Sequence, residues 1–218
     1  MSASTQATEA IQTRARRFLH VGCGLKRKSQ TTQGFATEQW QELRFDIDPT
    51  VKPDIIGSML DMGMVEGGHV DAVFSSHNIE HLYPHEVPVA LAEFKRVLAA
   101  DGFAVITCPD LQTVCELVAQ DKLMEPAYVS PSGPIAPIDI LYGHRPAMAK
   151  GNLFMAHRTG FTQSSIRDAL LAAGFAAVAT VRIPGRHELW AVATVQTWPR
   201  EVLQELAVAH FPKPRVSA

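Results

Sequence analysis

Nine of the 218 residues are histidines, and His77, His81, His144 and His157 stand in settings where an imidazole can move a proton near neutral pH. His77 and His81 lie four residues apart, directly after an apolar run that ends at Ser75, so a helical turn there would stack both rings on one side. Glu80 lies between them, but the adjacent His-Glu order of the zinc peptidases is missing and no metal is expected. His81 reads better as a donor that fixes a loop than as a base. His77 is equally suited to lining a ligand and to acting on one. His157, in Met155-Ala156-His157-Arg158-Thr159-Gly160-Phe161, either faces a substrate or locks a long loop. His77, His81 and His157 are the candidate catalytic residues. Asn78, Tyr142, Arg145 and Arg158 are candidates for holding an anionic or sugar-like acceptor, arginine through paired hydrogen bonds. Glu80 and Asp110, near strand ends, orient a substrate or cap the next helix.

A second constellation is Leu19-His20-Val21-Gly22-Cys23-Gly24. Glycines after a strand let the backbone bend sharply and pass close to a ligand. Asp46 follows about 22 residues beyond Gly24, at the end of the next strand, where a carboxylate can accept hydrogen bonds from ribose hydroxyls. A nicotinamide site has the same two features. It also needs a third glycine for close helix packing against pyrophosphate, and Arg27 occupies that place with Lys26 before it. A ligand without phosphates fits better.

Short apolar runs must carry these residues. Strands are predicted at Phe18 to Val21, Leu43 to Phe45, Asp54 to Ile56, Asp71 to Ser75 and Gly102 to Thr107, mostly apolar throughout, as strands covered on both faces are. Between the last two, Val89, Leu91, Phe94, Val97 and Leu98 recur at helical spacing within Glu86 to Ala99. A helix over Leu111 to Lys122 follows. Residues 125 to 152 are rich in Pro and Gly yet apolar, and read as an irregular substrate-side cover. A helix over Thr162 to Ala173, with Thr162 as N-cap and Gly174 as its stop, leads into strands Ala176 to Ile183 and Leu189 to Gln196, joined at Pro184-Gly185. The expected fold is α/β: a Rossmann-like, mostly parallel sheet with helices on both faces and an antiparallel C-terminal hairpin. Residues 1–16 form a lead-in, 17–198 the domain with a cover at 121–160, and 199–218 a short helix and frayed tail.

The bulk numbers agree with one globular domain. The chain is 46% hydrophobic and 19% charged, with a formal net charge of -2, so it has no basic field of the kind that draws nucleic acid. Cys23, Cys108 and Cys115 match neither a disulfide framework nor a zinc pattern and read as reduced thiols of a cytoplasmic protein. No apolar run reaches the ~20 residues of a membrane span.

The motifs, taken in order, resemble class I S-adenosylmethionine-dependent methyltransferases. The glycine loop is followed by Phe45-Asp46-Ile47-Asp48-Pro49, Gly57-Ser58-Met59-Leu60-Asp61-Met62, Val70 through Leu82, Glu93-Phe94-Lys95-Arg96-Val97-Leu98, Asp101-Gly102-Phe103 and Thr107-Cys108-Pro109-Asp110. Within the class the chain is most similar to small bacterial enzymes whose first strand begins Leu-His, some of them linked to cell-surface polysaccharide. The resemblance implies S-adenosyl-L-methionine as cofactor. It implies that Gly22, Cys23 and Gly24 border the methionine part, Asp46 the ribose, Ile47, Met59, Leu60 and Asp61 the adenine, that Ser75, Ser76 and His77 close the methionine end, and that His20 belongs to the same cofactor site. His20 replaces a common acidic residue, Lys26 a common glycine, and Ser58 a position often acidic. The implied function is methyl transfer to a small-molecule or glycan acceptor; an NAD(P)-dependent oxidoreductase and a non-catalytic cofactor-binding protein of the same fold are the alternatives. No oligomeric state follows from the sequence.

Overall fold

A computed structural model of the chain describes residues 15–212; most of the proposed lead-in and the last six residues of the tail lie outside them. Strands β1 (Arg16–Val21), β2 (Trp40–Asp46), β3 (Ile55–Ile56), β4 (Val70–Ser76) and β5 (Leu98–Pro109) run parallel, and β8 (Ala177–Ile183) and β9 (Glu188–Thr194) complete a seven-stranded sheet of order β3-β2-β1-β4-β5-β9-β8. Strand β9 is antiparallel to both β5 and β8, so the expected hairpin is present. The sheet reverses its winding between β1 and β4, and in open α/β sheets ligands bind outside the carboxyl ends of the strands at such a point.

Side chains alternate across the strands and divide the core in two. Leu19, Val21, Val73, Ala104 and Ile106 face α1 (Val87–Val97) and α5 (Gln163–Ala172), which contribute Leu91, Phe94, Ile166 and Leu170. Thr162 caps α5 by accepting from the Ser165 amide, and Gly174 takes a φ of +88° just past its end. On the opposite face lie Phe18, Ala72, Phe74, Phe103 and Val105. No α-helix follows β1; residues 22–39 cross over with one 3-10 turn at Lys28–Gln30. Phe35 fills the gap, its ring stacked 4.3 Å from Phe18, and α6 (Arg200–His210) closes the face with Leu203 and Leu206. The short helix expected after Pro199 is therefore present and packed. Its His210 is buried and hydrogen-bonded through Nδ1 to Thr32 Oγ1 at 2.7 Å.

The cover is also more ordered than its breakers suggest. Helix α2 (Leu111–Ala119) leads to a two-stranded hairpin, β6 (Tyr128–Ser130) and β7 (Gly133–Ile135), and then to the short helices α3 (Pro137–Tyr142) and α4 (Arg145–Ala149). Val114 of α2, Ile135 and Ile140 make a small core of their own. Among the described residues no helix is long and apolar enough to cross a membrane.

Candidate active site

The glycine loop leaves β1 at the reversal point. Gly22 and Gly24 have φ of +62° and +51°, a region that penalises a side chain. A Cβ on Gly22 would also stand 2.0 Å from Asn78 Oδ1. Asn78 Nδ2 donates to Val21 O and to Ser76 O, each at 3.0 Å, and so clips the end of β1 to the end of β4. Asn78, expected to touch the acceptor, instead braces the loop. From β2, Asp46 accepts the Gly24 amide on Oδ2 at 2.8 Å and the Asp48 amide on Oδ1 at 2.9 Å, while the Arg44 guanidinium donates to Gly24 O, Lys52 O and Val51 O. The loop is held in shape from the neighbouring strand before any ligand arrives.

The other residues implied for the cofactor divide into two groups. Ile47, next to Asp46, is an exposed apolar side chain, as one flanking a ligand ring would be. Leu60 and Asp61 border a surface groove with Pro88, Val89 and Arg96, and Met59 packs against the core. Ser75 is fully buried, and Ser76 shares a hydroxyl hydrogen bond with Thr107 at 3.2 Å. His20 is turned away to the sheet face that carries Phe18 of β1 and Phe74 of β4, buried, with Nδ1 at 2.6 Å from Glu42 Oε1. Glu42 also accepts the Lys28 amide at 3.0 Å, so His20 anchors the crossover rather than presenting a ring to the loop. Burial pushes the Cys23 thiol up to about 11, with Arg44 pulling the other way, which keeps it a neutral space-filling group.

Beyond the end of β4 the chain enters a cavity of about 220 Å³ roofed by the cover, whose walls include His77, Glu80, His81, Tyr128, His144 and His157. His77, in left-handed conformation with φ +55°, places Nδ1 3.4 Å from Glu80 Oε1 and Nε2 3.6 Å from Glu188 Oε1. Burial alone would lower its pKa, but the two carboxylates prevail and hold it up at about 9. His77 is thus a cation at neutral pH, not a base. His81, at the end of the 3-10 turn Ile79–His81, has Nδ1 3.0 Å from Ala156 O, and His157 has Nδ1 2.7 Å from Ile140 O. A carbonyl only accepts, so both Nδ1 atoms carry a proton, and in the neutral ring Nε2 is the nitrogen with the lone pair. Burial keeps the His157 pKa below its ordinary value, with Glu80 opposing, and so leaves the ring neutral. The two imidazole rings meet edge to face with centroids 4.9 Å apart. The candidate catalytic histidines therefore do converge, and His81 and His157 also fix the cover, as the alternative readings of each allowed.

The two arginines are already engaged by the protein. Arg145 makes a forked pair with the buried Asp139, at 2.6 and 3.1 Å, which joins α3 to α4. Arg158 lies over the Tyr83 ring at 4.8 Å and donates to His81 O at 3.1 Å. Tyr142 is exposed at the rim of an adjoining cleft. Asp110 caps α2 through the Gln112 amide and pairs with Arg182 at 2.7 Å. Glu188, Tyr128, Arg186 and His187 were missed. A signal existed, since the predicted hairpin makes β9 antiparallel and so starts it at the same edge where β5 ends, with Glu188 in register with Pro109.

Residues 19–106 match the family model described as a methyltransferase domain. Among curated proteins none matches this sequence. Similar solved structures include a 1,6-didemethyltoxoflavin-N1-methyltransferase from Burkholderia thailandensis, bound to 1,6-didemethyltoxoflavin and S-adenosylhomocysteine, with TM-score 0.54 and 16% identity over 84% of this chain and 72% of that one. A SAM-dependent methyltransferase from Archaeoglobus fulgidus aligns with TM-score 0.52 and 14% identity over 83% and 86% of the two chains. An O-methyltransferase family protein from Burkholderia thailandensis gives TM-score 0.55 and 12% identity over 85% of this chain and 52% of its own length. At such identities the structural likeness speaks for the fold, and the domain match separates the transferase from the oxidoreductase that the glycine loop alone allowed. Residues 19–106 of this chain are thus similar to a methyltransferase domain, laid over the first five strands of a Rossmann-like sheet.

Proposed function

We propose that the enzyme methylates a small polar acceptor, a single ring or sugar unit, held in the cavity beneath the cover. The observation that carries this reading is the convergence of His81, His157 and Glu80 in a cavity that begins at His77, immediately past the β4 end of the cofactor crevice. Methyl transfer from a sulfonium is an in-line displacement with a neutral leaving group, so alignment of acceptor, methyl and sulfur supplies most of the rate. Asp46 and the Gly22-Cys23-Gly24 backbone hold the ribose and methionine parts, with Ile47 against the adenine. His77, fixed between Glu80 and Glu188, sets the boundary between cofactor and acceptor. His81 and His157 act on the acceptor's hydroxyl or amine through their Nε2 atoms.

Calorimetric titration with S-adenosylhomocysteine, followed by transfer of labelled methyl groups to a panel of hydroxylated and amino-bearing rings and monosaccharides, tests the reading. Nucleoside-analogue binding near the micromolar range and one methylated product class are expected, with a rate loss of ~10²-fold or more in H157Q and unchanged cofactor affinity. Labelled product formed at undiminished rate by H81Q and H157Q would refute the assignment of the cavity.

A further inference from the structure

We propose that Glu80, His81 and His157 form a binding site for a divalent transition-metal ion of the zinc type. Each of the three offers one ligand atom, and these atoms lie within 4.8 Å of one another. Tetrahedral coordination with bonds of 2.0–2.1 Å separates its ligands by about 3.3 Å, so side-chain swings of an ångström or so bring the three onto one ion. The frame that holds them is already built. The amides of Arg158 and Thr159 donate to Glu80 O at 2.8 and 3.2 Å and Arg158 donates to His81 O, which ties the turn bearing Glu80 and His81 to the segment bearing His157.

Two further observations point to a ligand. First, both imidazoles have their Nδ1 hydrogen committed to a backbone carbonyl, the outer-shell arrangement that fixes ring orientation and leaves Nε2 as donor to a metal. Second, Glu80 is 1% exposed, yet among the described residues neither of its carboxylate oxygens has a hydrogen-bond partner. His77 stands beside Oε1 at 3.4 Å as an ion pair without hydrogen-bond geometry. His77 supplies positive charge beside Oε1, but a buried carboxylate also needs close contacts to its oxygens, and a cation shared with His81 and His157 would supply them. The sequence argued against a metal through the His77/His81 spacing; the ligand set takes His81 with Glu80 and recruits His157 from far along the chain. Two imidazoles and one carboxylate suit zinc, iron(II), cobalt or nickel rather than magnesium or calcium, which take oxygen ligands. Three protein ligands leave a position open, as in catalytic zinc sites.

Binding of the ion stands on these observations alone. Its use rests on the acceptor reading above: an acceptor hydroxyl in the open position would release its proton to solvent and attack the methyl group as the carbon–sulfur bond breaks. The test separates the two. Untagged, chelator-stripped protein is titrated with cobalt(II) chloride, followed by its visible absorption, and the cobalt is displaced with zinc chloride. One cobalt per chain, displaced by zinc, is expected, with binding weakened more than about tenfold in E80Q, H81Q and H157Q and unchanged in H85Q, whose imidazole is exposed elsewhere. Calorimetry of every variant with S-adenosylhomocysteine checks that the fold and the cofactor site survive. Absence of a cobalt spectrum in the wild type, or an unaltered titration in H81Q and H157Q, overturns the metal site whatever the methyl-transfer assays show.

Discussion

His77 sits between Glu80 and Glu188 and holds a proton to about pH 9, whereas an imidazole in the unfolded chain titrates near 6.5. The folded state binds that proton more tightly, so the stabilisation is complete below about pH 6.5 and is lost as the pH rises through about 9. The partly exposed ring keeps the effect modest. Wild-type melting temperature should fall more steeply than that of H77Q between pH 7 and 9.5, and parallel curves would remove the ion pair from the account. Gly22 supports a sharper prediction. Alanine there must adopt a φ of +62° and displace the Asn78 amide that clips β1 to β4. G22A should keep its far-ultraviolet dichroism, because the sheet does not depend on the loop, yet lose S-adenosylhomocysteine affinity by at least about tenfold, given strain of 1–3 kcal/mol.

At the scale of elements, strands were legible because both faces of this sheet are covered and its strands are apolar runs; the Thr162 cap and the C-terminal hairpin were legible from single residues. The cover was not. Its strands span three residues and its helices five or six, too short for periodicity to register. Its prolines were counted as breakers, although Pro137 and Pro146 stand in the first turns of α3 and α4, where a missing amide hydrogen costs nothing. The site suffered for the same reason: each histidine was visible, but a pairing across the cover follows only from how the cover folds. Helix α6 was legible as a short helix but its packing on the sheet was not, and its contribution has a pH signature. Burial beside the sheet, with Arg16 adding to the effect, lowers His210 to about 4. The unfolded chain takes up this proton first, so the stability that neutral His210 confers is present above about pH 6.5 and is lost as the pH falls toward 4. H210Q should flatten the acid limb of a urea-denaturation series taken from pH 7 to 4.5; an unchanged limb would place the acid sensitivity elsewhere.

The molecule as a whole separates common from individual chemistry along its sequence. The methyltransferase match ends at residue 106, within β5, and covers the glycine loop and Asp46. Most of the cavity beneath the cover, from Pro109 through His187, lies beyond it. The substitution of a C-terminal helix for one after β1 matters differently. Thr32 and His210 are 178 residues apart, and the aromatic surface around Phe35 and Phe103 stays uncovered until α6 has been made. During translation, β1, β2, β4 and β5 can pair while one side of their sheet remains sticky, and sequestration of that side waits on the ribosome releasing residues 200–210. A chain cut shortly before α6 should therefore leave this aromatic surface in water and aggregate where the chain that carries α6 stays dispersed.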